Sequence, residues 1–141
     1  MINAARMLAV CVAILLFLDA ALGYEQTYSV SSGAFTIMAA MVSLTFFGLW
    51  LRRATPLAEG MAFGWAGATF VMGWWWLYNL LDRPESMQES PILFLFVGVY
   101  FVGAIMHFVV IGSSLGLPRW LNYLPVCLAI FLSVLVQALT R

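Results

Sequence analysis

Apolar residues run almost unbroken through five stretches of the chain, and polar or charged residues gather between them. The stretches cover residues 7–23, 34–51, 61–81, 91–115 and 121–140. Each is close to the roughly 20 residues, with a range of about 17 to 25, that an α-helix needs to cross the hydrocarbon of a bilayer. Arg52 and Arg53 stop the second stretch, Asp82 and Arg83 the third, and Gly116 and Pro118 the fourth. Pro91 behind Ser90 reads as a first-turn proline behind an N-cap. Asn122 reads as a cap for the fifth stretch, with Pro125 either in its first turn or kinking it one turn in.

Hydrocarbon offers no hydrogen bonds, so a spanning segment must satisfy its own backbone amides. Open sheet is excluded on that ground, and the apolar runs lack the alternation of a barrel strand. Short connections make neighbouring helices antiparallel. The expected fold is an all-α integral membrane protein, an antiparallel up-and-down bundle of five transmembrane helices forming one domain over residues 1–141. The first stretch has a rival reading as a signal peptide. Arg6 is its single leading charge, and Ala20-Ala21-Leu22-Gly23 offers a small-residue cleavage site, but the charge is weak and the site only fair. Retention is expected, and cleavage would leave four helices.

Composition strengthens this picture. The residues are 65% hydrophobic and 9% charged, whereas a soluble domain carries about a quarter charged. Formal net charge is zero and no basic run is interleaved with aromatics, so a nucleic-acid partner is not expected. Positively charged loops are retained in the cytoplasm. With the N-terminus inside, Arg6, Arg52, Arg53 and Arg119 are cytoplasmic, against Arg83 and Arg141 outside. The expected location is the bacterial inner membrane, N-terminus cytoplasmic and C-terminus outside. Trp50, Trp65 and Trp120 fall near inner ends and Tyr24, Trp76 and Tyr78 near outer ends, at the headgroup levels such rings prefer. The run Trp74-Trp75-Trp76 reads as part of this girdle, or more sharply as an aromatic ligand platform.

Helices in lipid associate through small residues and a few hydrogen bonds rather than hydrophobic drive. At helical spacing, Thr36, Ala40 and Ser43 share a face of the second helix, and Gly60, Gly64 and Gly67 a face of the third. Both faces are expected to pack within the bundle, with self-association as the alternative. Packing there predicts that leucine at Gly64 loosens the fold.

Charged residues at the centre of a spanning helix cost about 2.5 to 3.5 kcal/mol on insertion scales, which makes intramembrane ionisable groups candidates for function. Asp19, near the outer end of the first helix, and His107, deep in the fourth, are those two groups. His107 shares its helix face with Tyr100, Gly103 and Ser114, a polar stripe broken by a glycine that leaves room for a pocket. It would serve a proton relay, a hydrogen bond to a quinone or other headgroup, or axial ligation of a haem or chlorophyll; the plainer role is a hydrogen bond to another helix. Asp19 is either an interfacial carboxylate or, if it faces His107, half of an acid/base pair. Asn79 and Gln137, toward the outer ends of their helices, read as interhelical glue or interfacial groups. Cys11 and Cys127 read as small apolar core residues. The chain lacks CxxC, HExxH, GxSxG and a Gly-rich phosphate loop, so no catalytic residue or metal site is nominated and the cofactor is unknown.

Three functions fit. The leading one is an accessory or scaffolding subunit of a larger membrane assembly, since the chain is nearly all spans and close-packing faces. The second is an oligomeric ion or small-molecule carrier using Asp19 and His107. The third is a haem-, pigment- or quinone-binding protein using His107. Expected partners are the lipid bilayer and other membrane subunits, or further copies of the chain.

Overall fold

The computed structural model describes residues 2–140, with side chains from residue 3. Arg141, used in the orientation argument, lies outside the described residues. The described chain is all-helical: α1 (Ile2–Leu22), α2 (Tyr24–Arg53), α3 (Pro56–Leu80), a single turn α4 (Glu85–Gln88), α5 (Ile92–Ser114), a 3-10 turn (Arg119–Asn122) and α6 (Leu124–Leu139). Packing between long helices is antiparallel. The centre is α3, which lies against α2 on one side and α5 on the other.

Three helical segments are long and apolar enough to cross a membrane: Asn3–Leu22, Tyr24–Arg53 and Glu85–Ser114. The five long helices match the number expected, and these three carry the spanning signature in their own length and hydropathy. The central helix α3 has 25 residues, but Gly60, Gly64, Gly67 and Gly73, with four tryptophans, dilute its hydropathy. The last helix, α6, has 16 residues, short of the roughly 20 a perpendicular crossing needs. Pro125 lies in its first turn, so it begins α6 rather than kinking it.

The largest departure from the sequence expectation is the start of α2. Residues 24–33 read as a loop, yet α2 begins at Tyr24 and runs for 30 residues. Its added turns bury Thr27, Ser32 and Gly33. A Cβ on Gly33 would lie 2.6 Å from the Trp76 ring, so the absent side chain is what seats that indole. The junction with α1 is one residue, Gly23, at φ 85° and ψ 163°. Glycine is nearly alone in reaching that region, so two helices meet there without a loop.

Along α2 the enclosed stripe is Ser32, Thr36 and Ala39, the last only 1% exposed; Ala40, one position round, is half-buried. The stripe is joined to α3 by a hydrogen bond that the Ser43 hydroxyl donates to the Ala62 carbonyl, 2.8 Å away. Thr36 instead donates to Ser32 O within its own helix, leaving its methyl towards Gly73, where a Cβ would lie 3.1 Å away. A left-handed Ala54, whose amide bonds Trp50 O, turns α2 into α3.

Both outer helices are loosely held. No described residue of α1 is buried, and it packs on α2. α6 also buries nothing and is tied to the rest through the 3-10 turn and the end of α5. Cys11 and Cys127 sit on these two helices and are exposed, which corrects their reading as core residues.

Candidate functional site

The α3–α5 seam is built on glycine. A Cβ on Gly60 would lie 3.0 Å from the backbone nitrogen of His107; one on Gly67 would fall on the Tyr100 backbone, and one on Gly103 on the amide of Gly64. The pairs Gly60–His107, Gly64–Gly103 and Gly67–Tyr100 advance in equal steps of four and three residues along both helices, as an antiparallel crossing requires. Main chains this close exclude intervening side chains, the arrangement that small residues permit between helices in lipid.

Gly64 differs from its two neighbours in that a Cβ there would meet nothing within 4 Å. It opens onto a pocket of about 400 Å³ bounded also by Phe35, Gly60, Trp65, Tyr100, Gly103, His107 and Phe108. The lining is mostly apolar, and His107, Tyr100 and Trp65 are its residues with a polar nitrogen or oxygen in the side chain. His107 is half-buried, and its Nδ1 is enclosed with no hydrogen-bond partner. Buried polar atoms are rarely left so, because each unmade bond costs about 1 to 3 kcal/mol. Tyr100 is 47% exposed and so stands at the pocket's mouth. Ser114, on the same helix, is outside it: its hydroxyl donates to Val110 O at 2.9 Å.

Asp19 lies elsewhere. It is exposed and borders a groove between α1 and α2 with Val12, Leu15, Thr27 and Ser31. The enclosed, unpartnered hydroxyl of Thr27 is its nearest comparison to His107. Asp19 and His107 therefore share neither a pocket nor a packed pair of helices.

A third cavity, about 590 Å³, lies where α2 begins and α3 ends, lined by Tyr24, Glu25, Tyr28, Ser29, Asn79, Asp82 and Arg83. Asn79 does not bridge helices, since its amide donates to Trp75 O. Sequence reasoning missed this cleft because it read Tyr24 and Glu25 as loop.

The three consecutive tryptophans do not form one platform. Trp76 lies on Gly33 of α2, Trp74 packs edge-on against Phe96 and donates to Met87 O at 3.3 Å, and Trp75 meets Tyr78 edge-on. About 100° per residue sends them three ways. Phe35, Trp65 and Phe108, the aromatic walls of the His107 pocket, were not singled out from the sequence. The signal available was position: Phe108 adjoins His107, and Trp65 adjoins Gly64. Among the described residues no group of three His, Cys, Asp or Glu side chains converges as a metal site.

No family model, curated protein or solved structure matches the chain.

Proposed function

We propose that this small helical membrane protein binds a lipid-soluble small molecule of the quinone or pigment class between α3 and α5, with His107 as its polar anchor. The observation that carries this reading is His107 on the wall of a mostly apolar pocket, its enclosed Nδ1 bonded to no neighbouring helix, which leaves the other ring nitrogen for a ligand. A histidine serving only as glue between helices would have a partner on the neighbouring helix. The pocket volume, about 400 Å³, falls in the roughly 300 to 1,000 Å³ range of small-molecule sites.

The carrier reading has less support. A polar route through the bilayer needs successive polar groups, and Asp19 borders a different groove from His107. The accessory-subunit reading has an observation of its own. The spanning part of α1 buries none of its residues, leaving the face turned away from α2 free to pack against another membrane chain. The two roles are compatible in one protein, a ligand-holding subunit of a larger assembly. We further propose the bacterial inner membrane with the N-terminus cytoplasmic, on the arginine distribution.

Native mass spectrometry of the mildly solubilised protein, with extraction and an absorption spectrum of the same sample, tests the binding reading. A small lipid-soluble molecule is expected with the wild type and absent from a normally inserted His107→Ala variant. A wild-type chain carrying no such molecule, and taking none up, would reject it; co-purifying chains alone would leave the scaffold role. For orientation, cysteines replacing Thr55 and Glu85 are expected to be labelled from the inside and the outside, respectively.

A further inference from the structure

We infer that the His107 pocket selects a flat ring bearing a carbonyl, a quinone headgroup, and that His107 meets it as a hydrogen-bond donor rather than as a metal ligand. This rests on the binding reading above and narrows it. In a neutral imidazole one nitrogen carries the proton and the other a lone pair, and the surroundings of each decide which. Nδ1 is enclosed and has no partner. A proton there would be a buried donor with nothing to receive it, and orphaned buried donors are rarer than under-used acceptors. The proton therefore sits on Nε2, the nitrogen not enclosed in this way. A protonated nitrogen has no lone pair for iron or magnesium, but it serves a carbonyl oxygen well.

The walls favour a ring over an acyl chain. Gly64 presents bare backbone where its Cβ would meet nothing, giving a flat ligand a face of main chain to lie on. Trp65, Phe35 and Phe108 line the same space and offer the offset or edge-on contacts that aromatic rings prefer. Because a helical side chain leans towards the N-terminus of its helix, His107 leans along α5 in the direction of Tyr100. A ring held by its carbonyl at His107 thus extends towards the Tyr100 hydroxyl and the lipid-facing mouth, where a prenyl tail leaves the pocket.

The test uses the full chain in mild detergent with four probes: a short-tailed prenyl benzoquinone, the same ring with both oxygens methylated, iron protoporphyrin, and a diacyl phospholipid. Binding is read by quenching of Trp65, assigned through a Trp65→Phe variant, and by the infrared carbonyl band of the bound quinone. The quinone is expected to bind with one carbonyl band lowered. His107→Ala should lose that shift and about tenfold in affinity, equivalent to one hydrogen bond. His107→Gln, which keeps an N–H donor, should retain part of both, and Gly64→Leu should abolish binding by filling the pocket. Equal binding of the methylated ring would overturn the carbonyl inference while leaving the pocket reading intact. So would a His107-dependent haem absorption band, or displacement of the quinone by phospholipid at equal mole fraction. Failure of every probe to bind the wild type would overturn both.

Discussion

A Cβ placed on Gly103 falls on the backbone nitrogen of Gly64, so α3 and α5 touch main chain to main chain at the level of the pocket. The contact is unequal, because Gly64's own Cβ direction points into open space. Alanine at the two positions should therefore act in opposite ways. Gly103→Ala must push the helices apart and is expected to cost about 1 to 3 kcal/mol, the usual range for overpacking. Gly64→Ala should be neutral or stabilising by up to about 1 kcal/mol, through the lower entropy of its unfolded chain. Reversible unfolding in mixed micelles, followed by tryptophan fluorescence, measures both. Helical spacing alone predicts that leucine at Gly64 loosens the fold; with that direction open, leucine is expected to occupy the pocket and leave the seam closed.

Ser43 and Thr45 lie two residues apart on α2 and spend their hydroxyls differently. Ser43 reaches across to Ala62 O, whereas Thr45 returns to Met41 O of its own helix. Ser43→Ala should cost about 0.6 kcal/mol, the average for an interhelical hydrogen bond in a membrane protein. Thr45→Ala should change stability by less than half of that. The same unfolding titration, run on both variants, compares them directly.

The α1–α2 junction depends on Gly23 occupying a region closed to residues with a Cβ. Gly23→Ala should cost about 1 to 3 kcal/mol if the junction is kept, or open the angle between the helices if it is not. Spin labels replacing Val12 and Ser31, which border one groove, would report the angle as a distance. Replacing the exposed Cys11 and Cys127 with alanine removes competing thiols. A variant with unchanged stability and an unchanged distance would contradict the requirement for glycine.

Asn122 is 7% exposed, and a Cβ on Gly112 would fall on its amide oxygen. Gly112→Ala should displace the 3-10 turn and, with it, the main attachment of α6. Faster amide exchange at residues 119–124 is the expected sign. Truncation in the double variant Gly112→Ala, Asn122→Ala should restore part of the protection, because contacting residues couple.

The sequence made the helical class legible through the length and continuity of its apolar runs, and it made Thr36 and Ser43 legible as neighbours on one face through their spacing. The start of α2 was not legible. Hydropathy reports which residues suit lipid, and Tyr24 to Gly33 is polar because Gly33 seats Trp76 of α3, Thr27 and Ser31 line the groove against α1, and the tyrosines border clefts, not because the chain is unwound. Gly60, Gly64 and Gly67 could be placed on one face, but which of them opens onto space depends on the partner helix, and periodicity within α3 says nothing about that. For the candidate site, His107, Tyr100 and Gly103 were readable as a stripe. The separation of Asp19 from His107 was not, since it follows from α1 packing on α2 while the pocket forms between α3 and α5.

Enclosure of α3 between two neighbours also bears on how the protein is made. Synthesis delivers α3 to the bilayer ahead of α5, and α3, diluted by glycine and tryptophan, gains less from lipid than the helices before and after it. The nascent chain at that stage has only α2 to shelter it, with the bare backbone at Gly60, Gly67 and Gly64 turned outward. This order predicts assembly in two acts, an α2–α3 hairpin followed by its cover, α5. A chain truncated before residue 92 would leave that glycine seam uncovered in the bilayer, a species that membrane proteases are suited to recognise and remove.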